Sequence, residues 1–173
     1  MKRLVLAVLL VAGSLTESAP AADQPLTLSI AIPPSESGEY HLDPSRVPHF
    51  YVILRNRSDN PVKVWAPWTD ANNHSLSFEF TDEKGKQSKT QWEAQESVSY
   101  KLPDVCNLRP GENLVIEVSY TENSRWKGWP KIAGHLPTVK MQALFENRRG
   151  AEARGVWVGK LVSEPLTVTF FPK

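Results

Sequence analysis

His49–Trp65 reads HFYVILRNRSDNPVKVW, and the fold turns on this stretch. Phe50, Val52 and Leu54 alternate with Tyr51, Ile53 and Arg55, the period-2 pattern that sends successive side chains to opposite faces of a β-strand. Both sets are largely apolar as far as Arg55, which predicts a strand in the middle of a sheet. Asn56 to Pro61 then ends it, because Asn, Ser and Asp side chains hydrogen-bond a turning backbone and Pro61 has no N–H for a ladder. Val62, Val64 and Trp65 resume the extended pattern. Asn56-Arg57-Ser58 and Asn73-His74-Ser75 have the form of glycosylation acceptors, a pattern common by chance.

On the N-terminal side, Leu26, Leu28, Ile30 and Ile32 line one face of a first strand that Pro33-Pro34 stops. On the C-terminal side, residues 66–75 form a loop, and Leu76, Phe78 and Phe80 line the next strand. Asp82-Glu83-Lys84-Gly85 is a hairpin turn into Lys86–Trp92, a polar strand suited to a sheet edge. Val98, Tyr100 and Leu102 suggest another short strand. Arg109-Pro110-Gly111-Glu112 turns into Leu114–Tyr120, and residues 121–137 are a long connection. Thr138–Glu146 alternates through Val139, Met141, Ala143 and Phe145. Gly155–Val162 and Leu166–Phe171 follow, separated by Ser163-Glu164-Pro165, which reads as a bulge or a switch between sheets. About seven to nine short strands with polar turns predict an all-β, two-sheet antiparallel sandwich.

The first 21 residues read as a signal peptide: basic Lys2-Arg3, apolar Leu4–Ala12, then Ala19-Pro20-Ala21. The apolar run is about half the ~20 residues that a spanning helix needs. The expected product is an exported single domain over residues 22–173, in the periplasm, the cell envelope or the medium, with no membrane span. The chain holds 20 Lys and Arg against 19 Asp and Glu. Losing Lys2, Arg3 and Glu17 with the leader leaves it neutral, so nothing recommends nucleic acid as a partner. The lone Cys106 has no internal disulfide partner and reads as a small apolar residue in an apolar neighbourhood, so stability rests on packing.

The runs LRNRSDNPVKVW, LRPGENLVIEV and VWVGKLVSEPLTVTF resemble exported bacterial immunoglobulin-like domains, and the first two are also similar to the BsuPI-type proteinase-inhibitor domain. The resemblance implies an immunoglobulin-like sandwich and, through the second family, proteinase inhibition as one activity. It carries no set of site residues onto this chain.

The sequence offers little catalytic chemistry. There is no Gly-x-Ser-x-Gly elbow, no His-Glu-x-x-His, no cysteine pair and no phosphate-cradling glycine motif. His41, His49, His74 and His135 are scattered. The expectation is therefore a protein that is not an enzyme and carries no metal or cofactor. Six tryptophans are the unusual feature. Trp68, Trp126 and Trp129 fall in expected loops beside polar residues. They are either a stacking platform for a polysaccharide or a protein partner, or indoles that fold back to plug the sandwich. Protein–protein interaction in the envelope is the leading expectation, with a carbohydrate-binding module or a proteinase inhibitor as alternatives.

Overall fold

In the computed structural model, residues 24–35, 38–43, 45–47, 49–66, 75–92, 104–120, 125–129, 138–147 and 152–171 are described. They carry β1 (Leu26–Ala31), β2 (His41–Leu42), β3 (His49–Asn56), β4 (Val62–Trp65), β5 (Leu76–Thr81), β6 (Gln87–Trp92), β7 (Val105–Leu108), β8 (Asn113–Ser119), β9 (Trp126–Lys127), β10 (Thr138–Asn147), β11 (Gly159–Val162) and β12 (Leu166–Phe170). A 3-10 turn, Glu152–Arg154, lies between β10 and β11. The protein is all-β, as the alternation requires. The strands outnumber the expected seven to nine because β2 and β9 are two-residue rungs too short to leave a periodic signal and β7 lies where the alternation predicts none.

β3 is central, antiparallel to β1 on one side and to β8 on the other. Phe50, Val52 and Leu54 are fully buried. The opposite face departs from expectation: Tyr51 and Arg55 are exposed and Ile53 is only half-buried. Centrality in the hydrogen-bonding direction does not require a second layer over both faces.

The second sheet runs β2-β12-β10-β5-β6-β9, and β11 also pairs with β10. It presents Phe78, Phe80, Met141, Phe145, Val168 and Phe170 to the inward row of β3, and these side chains form one continuous core. Phe50 meets Phe78 edge-on at 5.3 Å, and Phe80 meets Phe170 at 5.6 Å and 82°. Ring edges set against ring faces are the favoured arrangement for aromatic quadrupoles. The β5–β6 hairpin closes as expected, with Gly85 at φ 78. β6 is not wholly an edge, because Gln91 and Trp92 pair with β9.

The Ser163–Pro165 break is not a switch between sheets. β12 pairs with Thr138–Met141 of β10 and β11 with Leu144–Asn147, along the same edge. Ser163 bridges the gap: its N–H donates to the Ala143 carbonyl at 2.9 Å, and its Oγ accepts from the Ala143 N–H at 2.9 Å.

A third, two-stranded ribbon, β4–β7, distinguishes the molecule from the expected two-sheet arrangement. β3 and β8 pair as far as Arg55 and Asn113, then both leave the sheet. They meet again as β4 and β7, with Val62 opposite Leu108. Val64 and Leu108 enter the main core, and the Trp157 N–H donates to the Lys63 carbonyl at 2.8 Å. The sequence shows the turn at Asn56–Pro61 but not that its exit strand pairs elsewhere. The expected strand around Val98–Leu102 lies outside the described residues.

Candidate functional site

The point where β3 and β8 leave their sheet is held by Asn56, which is fully buried. Its Nδ2 donates to the Asn60 carbonyl at 2.7 Å and the Leu108 carbonyl at 2.9 Å. Its Oδ1 accepts from the Ser58 N–H at 2.9 Å and the Ser58 hydroxyl at 2.8 Å. Its main-chain N–H donates to Glu112 and its carbonyl accepts from Gly111. An asparagine amide has two donor hydrogens and two acceptor lone pairs, and here all are used. With its amide occupied and buried, Asn56 is a structural knot and not a glycosylation site. Asn73 lies outside the described residues.

This knot makes one wall of an open concavity of about 620 Å3 on the outer face of the β1-β3-β8 sheet. Its floor follows from the register: Thr27, Arg55 and Asn113 stand in one row across the three strands, and Ser29, Ile53 and Val115 in the next. Arg57 and Asp59 rise from the turn at its side. Both arginines are exposed, and among the described residues neither forms an ion pair.

Further along the same face come Tyr51, 37% exposed, and Val115, 55% exposed. At the far end the His49 Nδ1 lies 3.3 Å from Glu117 Oε1. The face is therefore a strip, with guanidinium groups at one end, Ile53, Val115 and Tyr51 in the middle and a carboxylate beside an imidazole at the other. The sequence does not reveal it, because the apolar character of both alternating sets in β3 predicts burial of both faces. The two charged residues Arg55 and Glu117, each outward in its own strand, were the available signal.

Of the three candidate platform tryptophans, the two described ones face the core. Trp126 and Trp129 are 4% and 6% exposed, within the core. Trp129 stacks on Phe78 at 5.8 Å and meets Tyr120 edge-on at 5.1 Å, while Trp126 lies across Phe78 at 5.1 Å. They fold back as plugs because β9 adds to β6 and turns Trp126 inward. An indole without an exposed face offers no surface on which a sugar ring can stack. Trp68 lies outside the described residues. Arg125 stands over Trp92, at 5.7 Å from the ring centre, rather than over its neighbour Trp126.

No group of three or more His, Cys, Asp or Glu gathers among the described residues as a metal site would need. His41 contacts Glu39 at 3.1 Å, and His74 and His135 fall outside the described set. Cys106 is half-buried on β7, opposite Val64, and burial together with the Asp104 carboxylate pushes its thiol pKa up. A raised pKa depletes the thiolate that nucleophilic chemistry needs. Among the described residues no helix is long and apolar enough to cross a membrane. No family model, no curated protein and no solved structure matches the chain.

Proposed function

We propose that the protein is an exported, non-enzymatic immunoglobulin-like domain that binds a protein partner in the cell envelope through the outer face of β1-β3-β8. One observation carries the reading: Tyr51 and Val115 stand exposed, side by side with half-buried Ile53, on a sheet face that the second layer leaves uncovered. A contiguous apolar strip rimmed by charge is the usual form of a protein-binding surface. The immunoglobulin-like part rests on the sequence resemblance and on two layers that share one core and are antiparallel except where β2 joins β12 in parallel, with the β4–β7 ribbon as an elaboration. Export rests on the order of basic, apolar and small residues over residues 1–21.

The test places a photo-crosslinking amino acid at Val115 and, separately, at exposed Val158, in the protein expressed in its own host. A discrete protein adduct from position 115 alone, abolished by Tyr51→Ala, is the expected result. Equal adducts from both positions, or none from position 115, overturn the reading.

A further inference from the structure

We infer that the concavity beside Asn56 receives carboxylates from an acidic, extended segment of the protein partner, with the Arg55 and Arg57 guanidinium groups as its anchors. This rests on the reading of the outer face as a protein-binding surface and adds the chemistry of what binds there.

Three observations converge. Arg55 and Arg57 line the same concavity, are exposed, and have no ion-pair partner among the described residues, so neither must break a contact to receive a ligand. A guanidinium group presents a planar fork of donors that matches a carboxylate. Thr27 and Asn113, in register with Arg55 on either side, add hydroxyl and amide donors to the same row. Asp59 also lines the concavity, so the site keeps a net positive charge of one and holds one acceptor for a main-chain N–H.

The occupant is a peptide rather than an acidic polysaccharide because the concavity opens onto the apolar strip. Ile53 lines the concavity and Val115 stands beside it, in the same row on β8. A segment with carboxylates followed by apolar side chains would meet Arg55 and Arg57 first and then Ile53, Val115 and Tyr51. Sugar rings call for flat aromatic faces, and none lines the concavity. The knot at Asn56 fixes the wall of the site, so Arg57 projects from a held turn and Arg55 from the adjoining end of β3.

The full chain is titrated, by fluorescence anisotropy, with a labelled peptide of Glu and Val, a matching peptide of Lys and Val, and labelled polygalacturonate. Binding of the Glu peptide, weakening as salt rises, is expected. Arg55→Ala and Arg57→Ala should each weaken it about threefold and the double variant about tenfold, the range for exposed charge pairs. Arg55→Gln, which keeps the side-chain length, should behave as Arg55→Ala, and Lys84→Ala in the β5–β6 turn should change nothing. Equal binding of the Lys peptide, tighter binding of polygalacturonate, or indifference to both arginine changes in variants with unaltered denaturation midpoints overturns the inference. The two proposals fail separately. If the crosslink at position 115 persists at full yield in the double arginine variant, the face still binds a partner and the carboxylate site is wrong. If the crosslink never forms while the Glu peptide binds through the arginines, the carboxylate site stands alone.

Discussion

The Asn56 amide donates to the Leu108 carbonyl at 2.9 Å, across 52 residues of chain. That one bond ties the exit of β3 to the entry of β8, at the point where two paired strands leave one sheet to form another ribbon. Replacing Asn56 by Ala takes the side-chain donor from the Leu108 carbonyl in a buried setting and removes the part-buried bonds to the Asn60 carbonyl and the Ser58 N–H. The expected loss is about 1–3 kcal/mol, the cost of leaving one buried polar group unpaired. Asn56→Asp should be at least as harmful, because a carboxylate would face two carbonyl oxygens. Urea denaturation midpoints measure both, and a shift below about 1 kcal/mol for Asn56→Ala would contradict the knot.

Trp126→Ala and Trp129→Ala should each lower stability by about 3–5 kcal/mol, the range for removing a large buried aromatic. Both indoles contact Phe78, so the double change should fall short of the sum. Denaturant midpoints of the two single variants and the pair check the size and the shortfall.

Gly128 follows the β9 rung at φ +87, and a Cβ there would meet the Lys89 carbonyl at 2.5 Å. Gly128→Ala combines a left-handed backbone with a main-chain clash, and should cost about 1–3 kcal/mol. The loss should appear with reduced hydrogen-exchange protection of Gln91 and Trp92, where β6 receives β9. Intact protection there would refute the clash.

Tyr120 gives the molecule an alkaline limit. Its hydroxyl donates to the Phe171 carbonyl at 3.0 Å and, chiefly through burial with a smaller push from Asp43, its pKa rises to about 12. The folded pKa lies above the unfolded one, so folding favours the neutral phenol. Its contribution, on the order of 1–2 kcal/mol, is fully present below pH ~10 and is lost as pH rises toward about 12. Stability measured from pH ~8 upward should fall through this window in the wild type and less steeply in Tyr120→Phe. Identical slopes would remove Tyr120 from the account.

Cys106 should alkylate slowly in the native protein at neutral pH and quickly once unfolded. The pH dependence of native labelling should lie above that of a free thiol, because burial and the Asp104 carboxylate both disfavour the thiolate. Fast native labelling at neutral pH would contradict the raised pKa.

Much of the fold is written locally. The alternation of β1, β3, β5, β8 and β10 appears in side-chain type alone, since each has one face in the core. The turns at Gly85 and Gly111 are equally legible, at φ 78 and 77. What is not local is not legible. Nothing in Val62–Trp65 says that it pairs with Val105–Leu108 rather than returning to β3, and nothing in Arg125-Trp126-Lys127 marks a two-residue rung. The candidate site was hidden for a related reason. Tyr51, Ile53 and Val115 have the composition of a core, and among the described residues no second layer covers them.

The placement of β3 between β1 and β8 also orders events in time. Emerging from its N-terminal end, the chain can zip β3 onto β1 early, since the two are close in sequence. The other edge of β3 must then wait for Asn113–Ser119, and the Asn56 side chain for a carbonyl 52 residues on. Pairing between distant segments is slow, and an apolar strand with one vacant edge is a template for self-association in the interval. Refolding from denaturant should therefore lose yield to aggregation as protein concentration rises, with the vulnerable species being a chain whose middle strand has found its first neighbour and not its second.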